Sequence, residues 1–188
     1  MASQRLRIAI IIGSTRPNRR GEAVGQWVYE HARQRTGTDY ELIDLREVNL
    51  PQLDEPQSPA MHQYANEHTK RWSARIEPCD GFVFVSPEYN HSTCAALKNA
   101  LDFLYREWNN KAAGFVAYGN AGGARAVEHL RGVCGELQMA TVRHQVALLL
   151  ATDWQEGQFK PADRHLKTLG NLFDQLDQWA GALKTVRG

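Results

Sequence analysis

The sequence predicts an α/β protein in which a parallel sheet of five strands carries helices on both faces. Five short apolar runs of strand length alternate with segments of helix length along the 188 residues. Parallel neighbours need crossover connections, and helices between successive strands supply them. The length suits one domain, since about 150 residues per domain is the usual expectation. We therefore predict a single α/β domain over residues 1–188.

The first strand and helix form the clearest pair. The run Leu6–Ile12 is continuously apolar, as expected of a strand buried on both faces of a parallel sheet. Gly13 ends this strand. From Glu22 to Ala32 apolar residues recur at helical spacing, and the turn-forming residues TGTD close the segment.

The middle of the chain repeats the alternation. YELIDL, starting at Tyr40, predicts a second strand, and residues 61–76 predict a helix after a proline-rich loop. GFVFVS, starting at Gly81, predicts an interior strand, and the helix predicted after it covers residues 94–108.

The last third completes the sheet. AAGFVAYG, starting at Ala112, predicts the fourth strand, residues 124–139 a helix, and QVALLLA, starting at Gln145, the fifth strand. The chain then ends in a predicted amphipathic helix. Its apolar residues are Leu166, Leu169, Leu172, Phe173, Leu176, Trp179 and Leu183.

Charge and hydropathy exclude several classes of function. The 22 basic and 21 acidic residues leave a net charge of +1, without the basic field that non-specific nucleic-acid binding requires. The N-terminal apolar run is about seven residues long, too short to span a membrane, and no signal-peptide cleavage pattern follows it. We expect a cytoplasmic protein that binds neither nucleic acid nor membrane.

The three cysteines indicate no metal site and no disulfide framework. Cys79, Cys94 and Cys134 are odd in number and far apart, so reduced thiols are expected. None is followed six residues later by arginine, as a phosphate-binding nucleophilic cysteine loop requires. Hydrolase G-x-S-x-G and metalloprotease H-E-x-x-H motifs are also absent from the sequence.

The loop after the first strand, GSTRPNRRGE, predicts a phosphate site. Small residues that open a helix offer free backbone N–H groups at the positive end of the helix dipole. Ser14 and Thr15 add hydroxyl donors, and arginines can neutralise a dianion. The spacing matches neither the nucleotide P-loop nor the dinucleotide motif, so a terminal monophosphate fits better. A solvated basic turn is the alternative. The arginines are Arg16, Arg19 and Arg20.

The loop after the third strand, SPEYNHST, predicts a surface for a planar ligand. Pro87 fixes its own backbone, while Glu88, Tyr89 and Asn90 bring an aromatic ring and polar groups to the strand end. The alternative is an ordinary turn in which Asn90 or Ser92 caps the next helix and Tyr89 covers the core.

Two neighbours of that loop have chemical potential but ordinary explanations. His91 could donate a proton, although a lone loop histidine is more often exposed and inactive. Cys94 lies near a predicted helix start, where a thiol pKa can be lowered, but a small packing residue is the simpler interpretation.

The loop after the fourth strand, YGNAGGARA, is rich in glycine. Gly119, Gly122 and Gly123 allow close approach to a heterocycle, or they only turn the strand into the next helix. Arg125 follows in the first turn of that predicted helix. Because the carboxyl ends of parallel strands share one edge of a sheet, all three loops are predicted to form one site.

Together the three loops and the segment LKNALDFLYREW resemble the NAD(P)H-dependent FMN reductase family of flavodoxin-like quinone, azo, chromate and flavin reductases. The resemblance covers nearly the whole chain, and SPEYNHS is its most specific motif. It implies a flavodoxin-like three-layer sandwich with strand order 2-1-3-4-5, non-covalent FMN, and NADPH or NADH as hydride donor. It also implies a homodimer or homotetramer. Trp108 and the apolar stripe at Leu97, Leu101 and Leu104 could supply part of the subunit boundary, although an intrachain core explains them equally well.

The resemblance also implies a role for each loop in holding FMN. No catalytic side chain is assigned, because the flavin N5 position carries the chemistry. The residues implied to surround the phosphate are Ser14, Arg16, Asn18, Arg19, Arg20, Gly21 and Glu22. Those implied to line the isoalloxazine are Pro87, Glu88, Tyr89 and Asn90, and those at its far rim are Tyr118, Gly119, Gly122 and Gly123.

One segment departs from the family pattern. Many relatives have a bulky residue and then Pro-Gly before LKNALD, whereas this chain has Thr93, Cys94, Ala95 and Ala96. Proline and glycine act on the backbone in opposite ways, so the start of the next helix should differ beside the flavin. The leading prediction is an FMN-dependent NAD(P)H oxidoreductase. The alternatives are a flavodoxin-like electron carrier, which the near-neutral charge disfavours, and a flavin- or phosphate-ligand domain without reductase activity.

Overall fold

The computed structural model describes residues 5–187 and contains one five-stranded parallel sheet between two layers of helices. Its strand order is 2-1-3-4-5, as predicted. The inner strands are apolar throughout because both of their faces are covered. The strands are β1 (Leu6–Ile12), β2 (Thr38–Asp44), β3 (Gly81–Pro87), β4 (Ala112–Gly119) and β5 (Ala140–Leu149).

Six helices cover the sheet, and each face has its own apolar core. Trp72, Leu97 and Leu130 belong to the core on one face, while Val24 and Leu172 belong to the core on the other. The helices are α1 (Gly21–Ala32), α2 (Leu45–Val48), α3 (Glu67–Ile76), α4 (Ala95–Asp102), α5 (Ala124–Glu136) and α6 (Arg164–Lys184). Helix α6 is amphipathic, and none of the helices within residues 5–187 has the apolar length of a membrane span.

The helix predicted over residues 61–76 is shorter than expected. Met61 ends a 3-10 turn, Pro59–Met61, and the next residue, His62, has the left-handed φ of 54°. The backbone N–H groups of Ala65 and Asn66 then donate to the Glu55 carboxylate at 2.7 and 3.0 Å. These bonds hold the chain extended, so α3 begins at Glu67.

The helix predicted over residues 94–108 also ends early, at Asp102. Two buried indole N–H groups donate hydrogen bonds to backbone carbonyls near its end: Trp72 donates to Ala100 at 2.9 Å and Trp108 donates to Leu101 at 3.1 Å. Trp108 follows in a separate 3-10 turn. Trp108, Leu97, Leu101 and Leu104 are all buried within the chain, so they form intrachain core and not a subunit boundary.

The second strand, predicted from Tyr40, begins at Thr38 and ends at Asp44, where the short helix α2 follows without having been predicted. Further differences lie near β5. Helix α5 ends at Glu136 instead of residue 139, and β5 begins at Ala140 instead of Gln145. The β4–β5 pairing is irregular between Ala113 and Phe115, and the first half of β5 contains Arg143 and His144. The apolar run from which the strand was predicted therefore starts later than the strand itself. A short antiparallel hairpin was not predicted. It consists of β6 (Trp154–Gln155) and β7 (Gln158–Phe159).

Candidate functional site

A cavity of about 290 Å³ lies at the carboxyl edge of the sheet, where the three predicted loops meet. Its lining combines arginines from the β1–α1 loop with the backbone and side chains that follow β3, β4 and β5. The lining residues are Arg16, Asn18, Arg19, Arg20, Pro87, Glu88, Tyr89, Tyr118, Gly119 and Leu150. The order of the strands thus brings together residues that are more than a hundred positions apart.

The β1–α1 loop contributes the positive charge of the cavity. Arg16, Asn18 and Arg20 are exposed, whereas the Arg19 side chain is only 3% exposed. Arg19 Nη2 donates to the Asp44 carboxylate and lies 3.6 Å from Glu22 Oε2. Arg19 Nε and Nη1 are buried without any hydrogen-bond partner. The guanidinium therefore keeps three N–H donors, one on Nε and two on Nη1, free for an anion in the cavity.

Three hydroxyl groups, those of Ser14, Tyr89 and Tyr118, lie close to that loop. Ser14 is buried, and its Oγ is 3.0 Å from Tyr89 Oη, so the loops after β1 and β3 are joined directly. Tyr118 is 5% exposed and its hydroxyl has no hydrogen-bond partner. Burial raises the pKa of Tyr118, while the nearby Ser14 hydroxyl and Arg19 guanidinium oppose part of that rise. Tyr118 is therefore a neutral donor at physiological pH.

Gly21 explains how the Tyr118 hydroxyl reaches the first turn of α1. A Cβ atom on Gly21 would lie 2.7 Å from Tyr118 Oη, so a larger residue would displace the hydroxyl. Gly21 is buried, whereas Glu22 is exposed beside it. Neither residue belongs to the cavity lining, but both carry backbone N–H groups at the start of α1.

The loop after β3 is a tight turn. Tyr89 and Ser92 exchange backbone hydrogen bonds of 2.9 and 3.0 Å, and Asn90 and His91 between them have φ of 46° and 72°. These values suit a type I′ turn. Asn90 and His91 are exposed on its tip, outside the cavity lining.

Neither Asn90 nor Ser92 caps the helix that follows this turn. Cys94 occupies the N-cap position of α4 and makes no side-chain cap. Its thiol is buried, and burial raises its pKa, as expected of a packing residue. In the segment that departs from the family pattern, Thr93 Oγ1 bonds to Ser86 Oγ at 2.9 Å and fixes the chain to the end of β3.

The Glu88 carboxylate has a partner within the chain. It accepts hydrogen bonds from Arg125 Nε at 2.6 Å and from the Arg125 backbone N–H at 3.1 Å. Burial would raise the pKa of Glu88, but the bonds from Arg125 outweigh it and the pKa is lowered. Glu88 therefore holds the start of α5, and its carboxylate is not free to act as a base.

The glycines after β4 have two different functions in the turn. Gly119 lines the cavity, and a Cβ atom there would meet Glu88 Cβ at 3.0 Å. Gly122 and Gly123 have φ of 65° and 74° and lie outside the lining. A Cβ atom on Gly123 would lie 2.4 Å from Ala117 Cβ, so this glycine is required by the turn itself.

Three residues near the cavity were not predicted from sequence. Leu150 lines it from the end of β5, Asp44 binds Arg19 from the end of β2, and Trp154 packs 5.9 Å from the Tyr118 ring. The Arg20 guanidinium lies 5.2 Å from the centre of the Trp154 ring. Asp44 could have been found, because it ends the strand next to β1 in the implied order. Within residues 5–187, no three histidine, cysteine or acidic side chains are grouped as metal ligands.

Comparisons with known proteins confirm the family resemblance seen in the sequence. The family model described as NADPH-dependent FMN reductase matches residues 6–153. An NAD(P)H-dependent FMN reductase of Schizosaccharomyces pombe is 42% identical over 169 residues, 88% of this chain and 84% of the relative. A 2-hydroxy-1,4-benzoquinone reductase of a Burkholderia species is 29% identical over 141 residues, 71% of this chain and 73% of the relative.

A solved structure has the same fold. The flavoenzyme NAD(P)H:(acceptor) oxidoreductase of Paracoccus denitrificans superposes with a TM-score of 0.74 at 22% identity, covering 93% of this chain and 97% of that protein. The superposition therefore covers most of the length of both chains.

Proposed function

Because the chain belongs to the NADPH-dependent FMN reductase family, and is therefore an oxidoreductase that uses FMN and NAD(P)H, we propose that the cavity at the carboxyl edge of its sheet holds the FMN. The observation that carries this proposal is the set of buried donors without partners beside the β1–α1 loop. Arg19 Nε, Arg19 Nη1 and Tyr118 Oη are three of the five such side-chain atoms among residues 5–187. Buried polar groups are normally paired, so unpaired donors at one loop suit an anionic ligand.

The β1–α1 loop suits the phosphate end of FMN. Arg16, Arg19 and Arg20 provide positive charge, and Asn18 lies among them in the lining. Free backbone N–H groups at Gly21 and Glu22 add the favourable end of the helix dipole. Ser14, which already contacts Tyr89, lies between this end and the next loop. Each of these roles agrees with those implied by the resemblance.

The loops after β3 and β4 suit the ring end. Pro87, Tyr89 and Gly119 present flat or small groups to the cavity, and Leu150 adds an apolar contact. Asn90 stands at the exposed tip of its turn, and Gly122 with Gly123 shapes the loop from behind the lining. These three act on the ring through backbone position.

FMN supplies two-electron redox chemistry when bound, with NAD(P)H as donor and a second small molecule as acceptor. The chain contributes binding, orientation and exclusion of water. Glu88 is paired with Arg125, so no free carboxylate reaches the lining, and we assign no catalytic side chain. The name of the Burkholderia relative supports a quinone as one acceptor. We also propose a cytoplasmic homodimer or homotetramer, in keeping with the family resemblance.

A spectroscopic titration tests this function. FMN is added to the flavin-free protein, binding is followed by quenching of flavin fluorescence, and anaerobic NADPH or NADH is added to the yellow complex. We expect loss of the flavin absorbance band, and its return when a quinone is added. An electron carrier would show almost no NAD(P)H oxidation without a partner protein. A protein that binds a phosphorylated ligand but no flavin would contradict the proposal.

A further inference from the structure

We propose that the Tyr118 hydroxyl donates a hydrogen bond to the phosphate of FMN and so makes the site prefer the phosphorylated flavin over riboflavin. The inference rests on the proposed function and gives Tyr118 a different contact from the ring rim that the family resemblance implies. It assigns a specificity-determining side chain to β4, the strand whose following loop is otherwise a glycine turn.

The position of the hydroxyl is the first argument. Tyr118 Oη lies where it would be 2.7 Å from a Cβ atom on Gly21, the first residue of α1. The side chain therefore points from the end of β4 across the sheet edge toward the β1–α1 loop. A group bound by the first N–H groups of α1 would lie beside this oxygen.

The unpaired state of the hydroxyl is the second argument. Tyr118 is only 5% exposed, yet its oxygen has no partner within residues 5–187. A buried hydroxyl without a partner costs free energy, so its retention at the cavity indicates a ligand atom that completes it. Arg19, which is also buried, presents three unpaired N–H donors, on Nε and Nη1, at the same loop.

The charge around the hydroxyl is the third argument, because it indicates which kind of ligand atom accepts the hydrogen bond. The cavity arginines favour an anion, and a neutral phenol O–H can donate to an anionic oxygen without adding charge. On its other side, the Tyr118 ring packs against Trp154, whose ring centre is 5.9 Å away. The ring is thereby held, and the hydroxyl loses little conformational freedom when a phosphate binds.

A comparison of two ligands on two variants tests the proposal. FMN and riboflavin share the isoalloxazine and the ribityl chain, and only FMN carries the phosphate. We expect Tyr118→Phe to weaken FMN binding about 10-fold to 100-fold, the usual effect of losing a hydrogen bond to a charged group, and to change riboflavin binding less than 2-fold. Without flavin, the variant should unfold at the same temperature as the parent or slightly higher, because a buried unpaired oxygen has been removed.

Tyr105→Phe is the matched control. The Tyr105 hydroxyl bonds to the Glu136 carbonyl at 3.3 Å, away from the cavity lining, and its loss should leave the affinity for both flavins unchanged. A second measurement is the ³¹P resonance of bound FMN, which should move in Tyr118→Phe while the absorbance bands of the ring stay fixed.

Each other outcome overturns the inference. An equal loss of affinity for FMN and riboflavin would mean that Tyr118 contacts the ring or supports the fold. Unchanged affinity for FMN would mean that the hydroxyl is not a ligand. Failure of the parent protein to bind FMN at all would instead overturn the proposed function, so the two failures are distinguishable.

Discussion

The two edges of the sheet differ in how completely their buried polar groups are hydrogen-bonded within the chain. At the carboxyl edge, Arg19 and Tyr118 keep donors without partners around a cavity of about 290 Å³. At the amino edge, an open cavity of about 830 Å³ is larger, yet its buried carboxylate, Asp80, is saturated. It accepts from the Arg7 backbone N–H at 3.0 Å, from Lys184 Nζ at 2.9 Å, and from Arg187.

This contrast shows that size alone does not identify the ligand site. Charged groups that are fully paired within the chain stabilise the fold and have little left to offer a ligand, whereas unpaired donors cost stability until a ligand meets them. Arg35 Nε and Thr69 Oγ1 also lack partners, but neither belongs to a cavity with several such atoms. Substitutions at the amino edge should therefore change stability, and those at the carboxyl edge should change binding.

The largest effect is expected from Asp80→Ala at the amino edge. Loss of this carboxylate leaves Lys184 and Arg187 without their shared partner and the Arg7 N–H unpaired. We expect the free energy of unfolding to fall by about 3 kcal/mol, at the low end for a broken buried ion pair because both cations are partly exposed. Urea unfolding measures the change, and FMN affinity should stay within 2-fold.

Asp174→Ala is the control for that substitution. Asp174 is 62% exposed where it pairs with Arg35, so its removal should cost less than about 1 kcal/mol. If Asp80→Ala weakened FMN binding 10-fold or more while the fold persisted, the amino edge would be coupled to the ligand site and the contrast between the edges would fail.

Arg19→Met tests the carboxyl edge. The substitution removes the three unpaired N–H donors on Nε and Nη1 and their charge, while methionine retains much of the side-chain volume. We expect FMN affinity to fall about 100-fold and riboflavin affinity to change much less. Fluorescence titrations measure both. Arg33→Met, at a 59% exposed position on the far end of α1, should change neither.

A smaller, pH-dependent effect is expected at Lys111 on the amino edge. Its buried ammonium donates to the carbonyls of Ile76 at 3.0 Å and Glu77 at 2.8 Å, but desolvation by burial lowers its pKa to about 8. Below that pH both states carry the proton. A lysine in the unfolded chain has a pKa of about 10.4, so between pH 8 and pH 10.4 only the unfolded chain carries the proton. The free energy of unfolding therefore rises with pH over this range.

Lys111→Met removes the titrating ammonium and with it this pH dependence of stability. The parent protein should gain stability relative to the variant by about 1 kcal/mol per pH unit between pH 8 and pH 10, measured by urea unfolding. Cys94 and Cys134 are common to both proteins, so their opposite contributions cancel. Cys79 interacts electrostatically with Lys111, so both proteins are made on a Cys79→Ala background. A constant difference across this range would show that Lys111 titrates normally in the folded state.

The sequence predicted the sheet well because its signal is local and strong. Buried parallel strands read as apolar runs, and β1 and β4 begin and end at the predicted residues. Helix ends were less accurate where a distant side chain decided them, as when Glu55 bound the chain before α3. Such a contact has no signature in the local pattern.

For the candidate site, the loops were predictable but the direction of each side chain was not. Glu88 and Tyr118 both belong to loop motifs, yet Glu88 turns to Arg125 and Tyr118 turns to Gly21. Those directions depend on the neighbouring strands in the order 2-1-3-4-5. Leu150 fell inside the predicted fifth strand, QVALLLA, whereas β5 ends at Leu149, so its position at the cavity was not inferred.

The smallest effect is expected from Arg125→Met, which tests where the ligand site ends. Arg125 is 43% exposed and holds Glu88, a lining residue whose carboxylate is satisfied within the chain. Its bonds keep the pKa of Glu88 low against the effect of burial, so they contribute stability above the pKa of an unfolded glutamate. That contribution starts to decrease near the pKa of an unfolded glutamate, about 4.3, and is lost only as pH falls through the lower pKa of the folded state.

We expect Arg125→Met to lose at most about 1 kcal/mol at pH 7, because the exposed guanidinium is screened by solvent, and to differ less from the parent at pH 4. FMN affinity should stay within 3-fold, since the ionised Glu88 carboxylate has no N–H or O–H to donate to an anionic ligand and remains buried beside Gly119. Unfolding curves at pH 7 and pH 4, with flavin titrations at pH 7, provide both quantities. A 10-fold change in FMN affinity would mean that Arg125, a side chain already paired within the chain, still controls binding. The presence or absence of hydrogen-bond partners within the chain would then not distinguish the ligand site from the amino edge.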